Sequence, residues 1–243
     1  MARQPVQILG ACLIAVAFSL IAGYGHEAWA AALEVAPVLT DLAPGQQSAV
    51  LTVTNTSPDP TAVQVRSFTW TQNATSDQLE PTESLLVSPT VFQLQPGAAQ
   101  VVRLLLRRPP TKPEEAYRLL VDEIPPPGSN GNVRFALRLS LPVFAHAAGT
   151  SAANQPDMRV ADGRELIVVN HGPRRIRLVD LELLQGGGER VPLTSPENPY
   201  VLPGVERHWL LRGATLRPGM TARASWTGES GRANAPVPVT TGP

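Results

Sequence analysis

Residues 132–147, NVRFALRLSLPVFAHA, set Val133, Phe135, Leu137, Leu139, Leu141 and Val143 at every second position, with Arg134, Arg138 and Ser140 between them. Successive side chains of a strand point to opposite faces, so this spacing gives one apolar face and one mixed face. The apolar face must be covered, either by the core of its own domain or by a surface of another molecule. Similar runs recur at Leu33–Leu39, Ser48–Asn55, Thr61–Trp70, Val91–Leu94, Gln100–Arg107 and Tyr117–Ile124. Turn residues separate them: Pro44-Gly45, Ser57-Pro58-Asp59-Pro60, Pro96-Gly97, Pro109-Pro110 and Pro125-Pro126-Pro127-Gly128. No long stretch carries the 3.6-residue apolar period of a helix. Seven short strands at this spacing predict an immunoglobulin-like β-sandwich, all-β, over residues 31–147.

The chain opens with Arg3, an apolar run from Ile8 to Ala22 and the small-residue site Ala28-Trp29-Ala30. That layout predicts a secretory signal peptide over residues 1–30. The apolar run is shorter than the ~20 residues of a spanning helix, so no membrane insertion is expected after its removal. The single cysteine, Cys12, lies inside this leader, so the exported chain would be held by its cores without disulfides. Twenty basic residues balance twenty acidic ones, which argues against nucleic-acid binding.

Ala147–Asp157, AAGTSAANQPD, are small and polar and include no large apolar side chain, and residues 148–157 are read as an interdomain hinge. Alternation resumes in Arg164–Asn170, Arg174–Leu184, Ala222–Gly228 and the closing PVPVT, giving a smaller β domain over 158–243. The Gly- and Pro-containing tail beyond Gly228 is expected to fray. "LLQGGGERV" has a glycine run, but no Gly-Lys-Ser/Thr and no helix pattern follow it, so it reads as a hairpin loop and not a phosphate site.

Nothing in the chain has the spacing of catalytic machinery. His146, His171 and His208 stand apart from one another, without a zinc-binding pattern or a cysteine partner. No Gly-x-Ser-x-Gly or Ser-x-x-Lys sequence occurs. Asp122 and Glu123 are adjacent on a predicted strand and so point to opposite faces, which prevents them acting as a carboxylate pair. Asn55-Thr56-Ser57 and Asn73-Ala74-Thr75 read as turns. No enzyme activity, cofactor or metal is expected.

The stretch EEAYRLLVDEIPPP, with Glu115, Tyr117-Arg118-Leu119 and Glu123-Ile124-Pro125, resembles the signature of the PapD-like periplasmic pilus-assembly chaperones. LTVTN, FTW, LLVSPTVFQLQPG, VVRLLLR and FALRLSLPVF follow the same family order, from Leu33 to about Ala147. RLSLPVF together with YRLLVDEIP looks most like the archaic, spore-coat-type branch of chaperone–usher systems.

The resemblance implies two immunoglobulin-like sandwiches in a boomerang arrangement. It also implies a periplasmic, non-enzymatic role with pilus or coat subunits and an outer-membrane usher as partners. The family lends its G strand to a subunit that lacks its own last strand, a case of strand addition. Carried onto this chain, Val133, Phe135, Leu137 and Leu139 would fill successive subunit pockets, while Leu141 and Val143 remain with the core. Fully burying four such side chains contributes up to roughly 6–12 kcal/mol before association costs. Family members also grip the subunit's terminal carboxylate with a cleft arginine and lysine. Leu39 and Pro142 stand at those two places and cannot pair with an anion. Arg118 and Arg103 are the substitute cations considered, because a guanidinium holds a carboxylate with two parallel bonds. Pro142 is also expected to interrupt the strand ladder. The competing reading is an exported immunoglobulin-like adhesion or scaffolding module without a client.

Overall fold

The computed structural model describes residues 33–125, 136–149, 155–194, 198–213 and 215–240. The expected leader, Val133 and Phe135 lie outside the described residues, as does part of the expected hinge.

Ten strands build the first sandwich: β1 (Leu33–Ala36), β2 (Thr40–Leu42), β3 (Ser48–Asn55), β4 (Thr61–Gln72), β5 (Asp77–Pro81), β6 (Leu85–Ser88), β7 (Val91–Leu94), β8 (Ala99–Leu106), β9 (Glu114–Ile124) and β10 (Arg138–His146). One sheet has the order β1-β3-β8-β6; the other has β2-β10-β9-β4-β5, with β7 also paired to β4. Inward residues of both sheets form the core, among them Leu51, Val53, Val65, Leu104, Leu119 and Val143.

Three local features depart from the sequence reading. The single first strand expected over Leu33–Leu39 is split. β1 pairs antiparallel with β3, then the chain crosses at Pro37 and β2 pairs parallel with β10 in the opposite sheet. The two strands β5 and β6 carried no usable signal. β5 is an edge strand with no buried side chain, so no apolar alternation marks it. Pro142 does not interrupt β10, which stays in register with β9 from Arg138↔Asp122 to His146↔Glu114. The reason is geometric. Glu123 N–H donates to Leu137 O at 2.9 Å, so Leu137, Leu139 and Leu141 turn their backbone groups toward β9. Pro142 falls on the other parity, where its missing N–H faces away from that ladder.

The two Asn-containing turns form as expected. Asn55 Oδ1 accepts from Ser57 N–H at 2.9 Å, and its amide donates to the carbonyls of Asp59 and Leu94. Asn73 Oδ1 accepts from the N–H groups of Thr75 and Ser76.

The second sandwich comprises β11 (Asp157–Ala161), β12 (Glu165–Val169), β13 (Ile176–Arg177), β14 (Val179–Gln185), β15 (Arg190–Val191), β16 (Tyr200–Val201), β17 (Glu206–Leu210), β18 (Thr221–Gly228) and β19 (Gly231–Thr240). Pairing runs β15-β14-β18-β19-β11-β12-β17, with β13 and β16 as a separate pair. Its own core includes Val160, Leu166, Val168, Leu183, Trp209 and Ala224. The run expected over Arg174–Leu184 breaks, because Asp180 adopts a positive φ of 53° and the pairing with β18 shifts between Val179 and Glu182. Gly186–Gly188 make the hairpin between β14 and β15. Instead of fraying, Gly231–Thr240 pair with β18 from Gly228↔Gly231 to Thr221↔Pro238. Pro236 and Pro238 are tolerated there because β18 is bonded by the residues between them, and β11 joins only at Val239 and Thr240.

Between the sandwiches lies a third apolar cluster of Trp70, Phe144, Tyr200 and Leu202. The outer face of β9 and β10, which a lone sandwich would expose, is thereby covered at the C-terminal end of β10 and the N-terminal end of β9.

Candidate functional site

Two features of the first sandwich converge on β10. The first is an open edge. In its sheet β10 lies between β9 and β2, but β2 covers only Val143–Ala145. Over Arg138–Pro142 the side of β10 away from β9 has no strand partner among the described residues. By the parity set at Leu137, the N–H and C=O groups of Arg138 and Ser140 point to that free side, together with the carbonyl of Pro142. An unpaired row of this kind is a template for another strand. On the interior face of the same segment, Leu137 and Leu139 are partly buried against the margin of the first core. Leu141, Val143 and Ala145 continue that row and are buried. The apolar stripe thus passes from a closed core to an open mouth along one strand.

The second feature is the seam between the sandwiches. Pro142 pairs with Arg118 on β9, and Leu39 immediately precedes Thr40, which pairs with Val143. Leu39 and Pro142, which the sequence resemblance set at the family's cation positions, thus lie on adjoining segments, and Arg118 is directly across from Pro142. Arg118 is 7% exposed, its guanidinium lies 3.8 Å from the Trp70 ring centroid, and Nη2 is 3.8 Å from Asp77 Oδ2. Its side chain makes no hydrogen bond to any described residue. Burial pulls its pKa below the usual guanidinium range, and Asp77 and Tyr200 oppose this only in part. With one ion pair at 3.8 Å and no side-chain hydrogen bond among the described residues, its guanidinium keeps donors available for a second acceptor. Arg103 is placed elsewhere: it is exposed on the outer face of the other sheet, opposite Val50 and Ser88. The structure does not bring it to Arg118.

Sequence reasoning missed the polar groups that hold the seam. At one end, Asp77 accepts from Arg207 at 3.0 Å, from Gln72 at 3.0 Å and from Asn198. Gln72 also donates to Tyr200 O and accepts from Leu202 N–H at 2.9 Å. At the other end, Arg175 lies 3.8 Å above the Phe144 ring and donates to Glu114 at 2.7 Å and to Asp41 at 2.8 Å. Burial would raise the pKa of Asp41, but its bonds to His146 and Arg175 outweigh this and hold it at about 2. Glu114, whose carboxylate is fully enclosed, is raised by burial in spite of Arg175. One sequence signal could have exposed this seam. Trp70 and Phe144 are large aromatic residues on the outward parity of their strands, where a single sandwich would meet water. Asp122, also outward, is tied to Arg66 and Arg138, while Glu123 on the opposite parity accepts from Leu137 N–H.

Residues 32–150 match the family model described as pili and flagellar-assembly chaperone, PapD N-terminal domain. A search of curated proteins finds no sequence match. Among solved structures, the chain is similar to the CsuC–CsuE chaperone–tip adhesion subunit pre-assembly complex from the archaic chaperone–usher Csu pili of Acinetobacter baumannii. The TM-score is 0.66 and the identity 22%, covering 86% of this chain and 100% of that one. The E. coli chaperone DraB matches with a TM-score of 0.60 and 21% identity, over 84% of this chain and 96% of that one. The Salmonella enterica SafA pilin–SafB chaperone complex gives 0.60 and 17%, over 84% and 94%. Residues 32–150 thus belong with the PapD-like pilus-assembly chaperones by the match to their N-terminal domain, and the paired β-sandwiches of the chain have the fold of those chaperones.

Proposed function

We propose that the protein is a periplasmic chaperone that binds pilus or coat subunits by donating β10 as a strand, and then delivers them to an outer-membrane usher. One observation carries this reading: the edge of β10 over Arg138–Pro142, which has no strand partner among the described residues, with Leu137 and Leu139 partly open beside it. A guest strand laid along that edge would satisfy the outward groups of Arg138 and Ser140. Leu137 and Leu139, joined by Val133 and Phe135 on the same parity, would enter the groove of an incomplete subunit sandwich. The same cover would remove an exposed sheet edge from solution. Release requires no nucleotide, because a second subunit's extension can take over the same backbone bonds.

Arg118 is the proposed anchor for the subunit's terminal carboxylate. Its unfilled donors and its position across from Pro142 support this, and Trp70 fixes the plane of its guanidinium.

Co-expression of the chain with a pilus subunit from its own source, followed by isolation of a one-to-one complex, tests the reading. Phe135→Asp with Leu137→Asp is expected to abolish the complex while the melting temperature stays within a few degrees of the parent. A complex that survives the double substitution refutes strand donation, and so does a collapse of the fold, which would assign these side chains to the core. Arg118→Ala is expected to weaken capture; unchanged affinity would remove it as the anchor.

A further inference from the structure

Asp122 and Glu123 are neighbours on β9 and point to opposite faces, yet both bind the open end of β10. Asp122, on the outer face, is 8% exposed and spends its two carboxylate oxygens on two different strands. Oδ2 accepts from Arg66 Nη2 of β4 at 2.6 Å, and Oδ1 accepts from Arg138 Nε of β10. The carboxylate is thus a cross-tie over three neighbouring strands. Glu123 holds β10 by its backbone instead. Its N–H donates to Leu137 O at 2.9 Å, and its Oε2 accepts from Leu137 N–H at 3.2 Å, so one residue binds both main-chain groups of Leu137.

This end of β10 has few other restraints. From Leu141 onward every residue of the strand is buried, and β2 adds a second edge at Val143–Ala145. From Arg138 to Ser140 no residue is buried, and β9 is the one strand neighbour among the described residues. Backbone rungs are all alike, so a ladder alone does not choose its register; side chains do. The choice matters because the period is two. A shift of one residue along β9 would turn Arg138 and Ser140 to the interior face and Leu137 and Leu139 to the outer one. The bond to Asp122 selects Arg138 as the residue opposite it, and the bonds to Glu123 close the rung beside it. The same bond draws the Arg138 side chain toward β9, away from the free edge that a guest strand would use. Its contribution to global stability is small, because the Arg138 and Arg66 side chains are 63% and 40% exposed and water screens them.

We propose that Asp122 and Glu123 are positioning residues for the donor strand: together they fix the start of β10 on β9, so that Leu137 and Leu139 face the guest's groove while the main-chain groups of Arg138 and Ser140 face the guest's strand. This rests on strand donation by β10 and names the residues that set its register.

Hydrogen exchange of the free full chain and capture of a pilus subunit from the same source test it separately. In Asp122→Ala with Glu123→Ala, protection of the N–H at position 123 is expected to fall about tenfold after correction for intrinsic exchange, the equivalent of one hydrogen bond to a charged group. Leu106 N–H, bonded to Gln47 O at 2.8 Å in the other sheet, should keep its protection. Subunit affinity is expected to drop by about the same factor. Glu123→Gln, which keeps an acceptor oxygen, should retain parent protection and capture. Asp122→Ala and Arg138→Ala remove the two ends of one bond, so the pair together should lose no more affinity than either alone. Parent-like protection at position 123 in the double alanine variant overturns the proposal, and so does parent-like capture. A Glu123→Gln chain as weak as Glu123→Ala, or additive losses from Asp122→Ala and Arg138→Ala, also overturns it. Lost protection at Leu106 would assign the two acids to the stability of the whole sandwich and equally defeat it. A parent chain that captures no subunit refutes strand donation, and the positioning role falls with it; a parent that captures beside variants that capture equally well refutes the positioning role alone.

Discussion

The two halves of β10 carry the same alternating pattern and live in different surroundings. From Val143 to Ala145 the strand has β9 on one side, β2 on the other, a core on one face and the second sandwich on the other; every residue there is buried. From Arg138 to Ser140 it has only β9 among the described residues, and no residue is fully buried. Alternation thus identifies a face that wants cover without saying what covers it. The supply of neighbours decides, and along β10 it runs out on the N-terminal side of Leu141.

Substitutions that exchange the characters of the two halves should break this contrast, starting at the closed end. Val143→Asp puts a carboxylate among fully buried apolar side chains and is expected to cost most or all of the ~5–15 kcal/mol that holds a domain folded, seen as lost cooperative unfolding. Glu114→Ala leaves Arg175 buried with fewer anions and is expected to destabilise by about 3–5 kcal/mol in denaturant titrations. At the open end, Leu139→Ser should cost only about 1 kcal/mol, because its side chain is partly exposed already, while subunit capture falls sharply. If Leu139→Ser proves as damaging as Val143→Asp, the two halves are equivalent and the contrast is wrong.

Acid sharpens the comparison at the seam. Asp41 is held at about 2, below its ordinary 3.8, so its contribution to stability is present above about pH 4 and is lost as pH falls toward about 2. Glu114 is shifted the other way; its charged form works against stability as pH rises past the ordinary glutamate value of 4.5, so it does not produce that acid loss. Asp41→Asn is expected to flatten the parent's decline in melting temperature between about pH 4 and about pH 2. The smallest effect is expected from Pro142→Ala. It restores an N–H on the side away from β9, and stability should change by no more than about 1 kcal/mol.

Much of the fold was legible because strand faces and turns are local chemistry. The long runs at Ser48–Asn55, Thr61–Gln72, Ala99–Leu106 and Glu114–Ile124 announce themselves by alternation and by the Pro and Gly residues that end them. β5 was not legible, because an edge strand exposed on both faces has no apolar period, and neither was the bulge at Asp180. The site divides in the same way. Arg118 could be named from its motif, but its partners Trp70 and Asp77 are far along the chain, and Arg103 has no place in the seam. His146 looked like an isolated histidine; the first sandwich's own strands bring Asp41 and Glu114 beside it, and docking of the second sandwich adds the Arg174 guanidinium.

By itself the sequence determined an all-β chain, the direction in which each strand's apolar side chains point, and the turns between strands. Those follow from the two-residue period and from the backbone limits of Pro, Gly and Asn, which act over a few residues. Which edge stays unpaired, which outward face is covered and which buried charges meet were decided only by the tertiary structure. Each depends on groups brought together from distant strands, and a period of two carries no information about what lies on the other side of the gap.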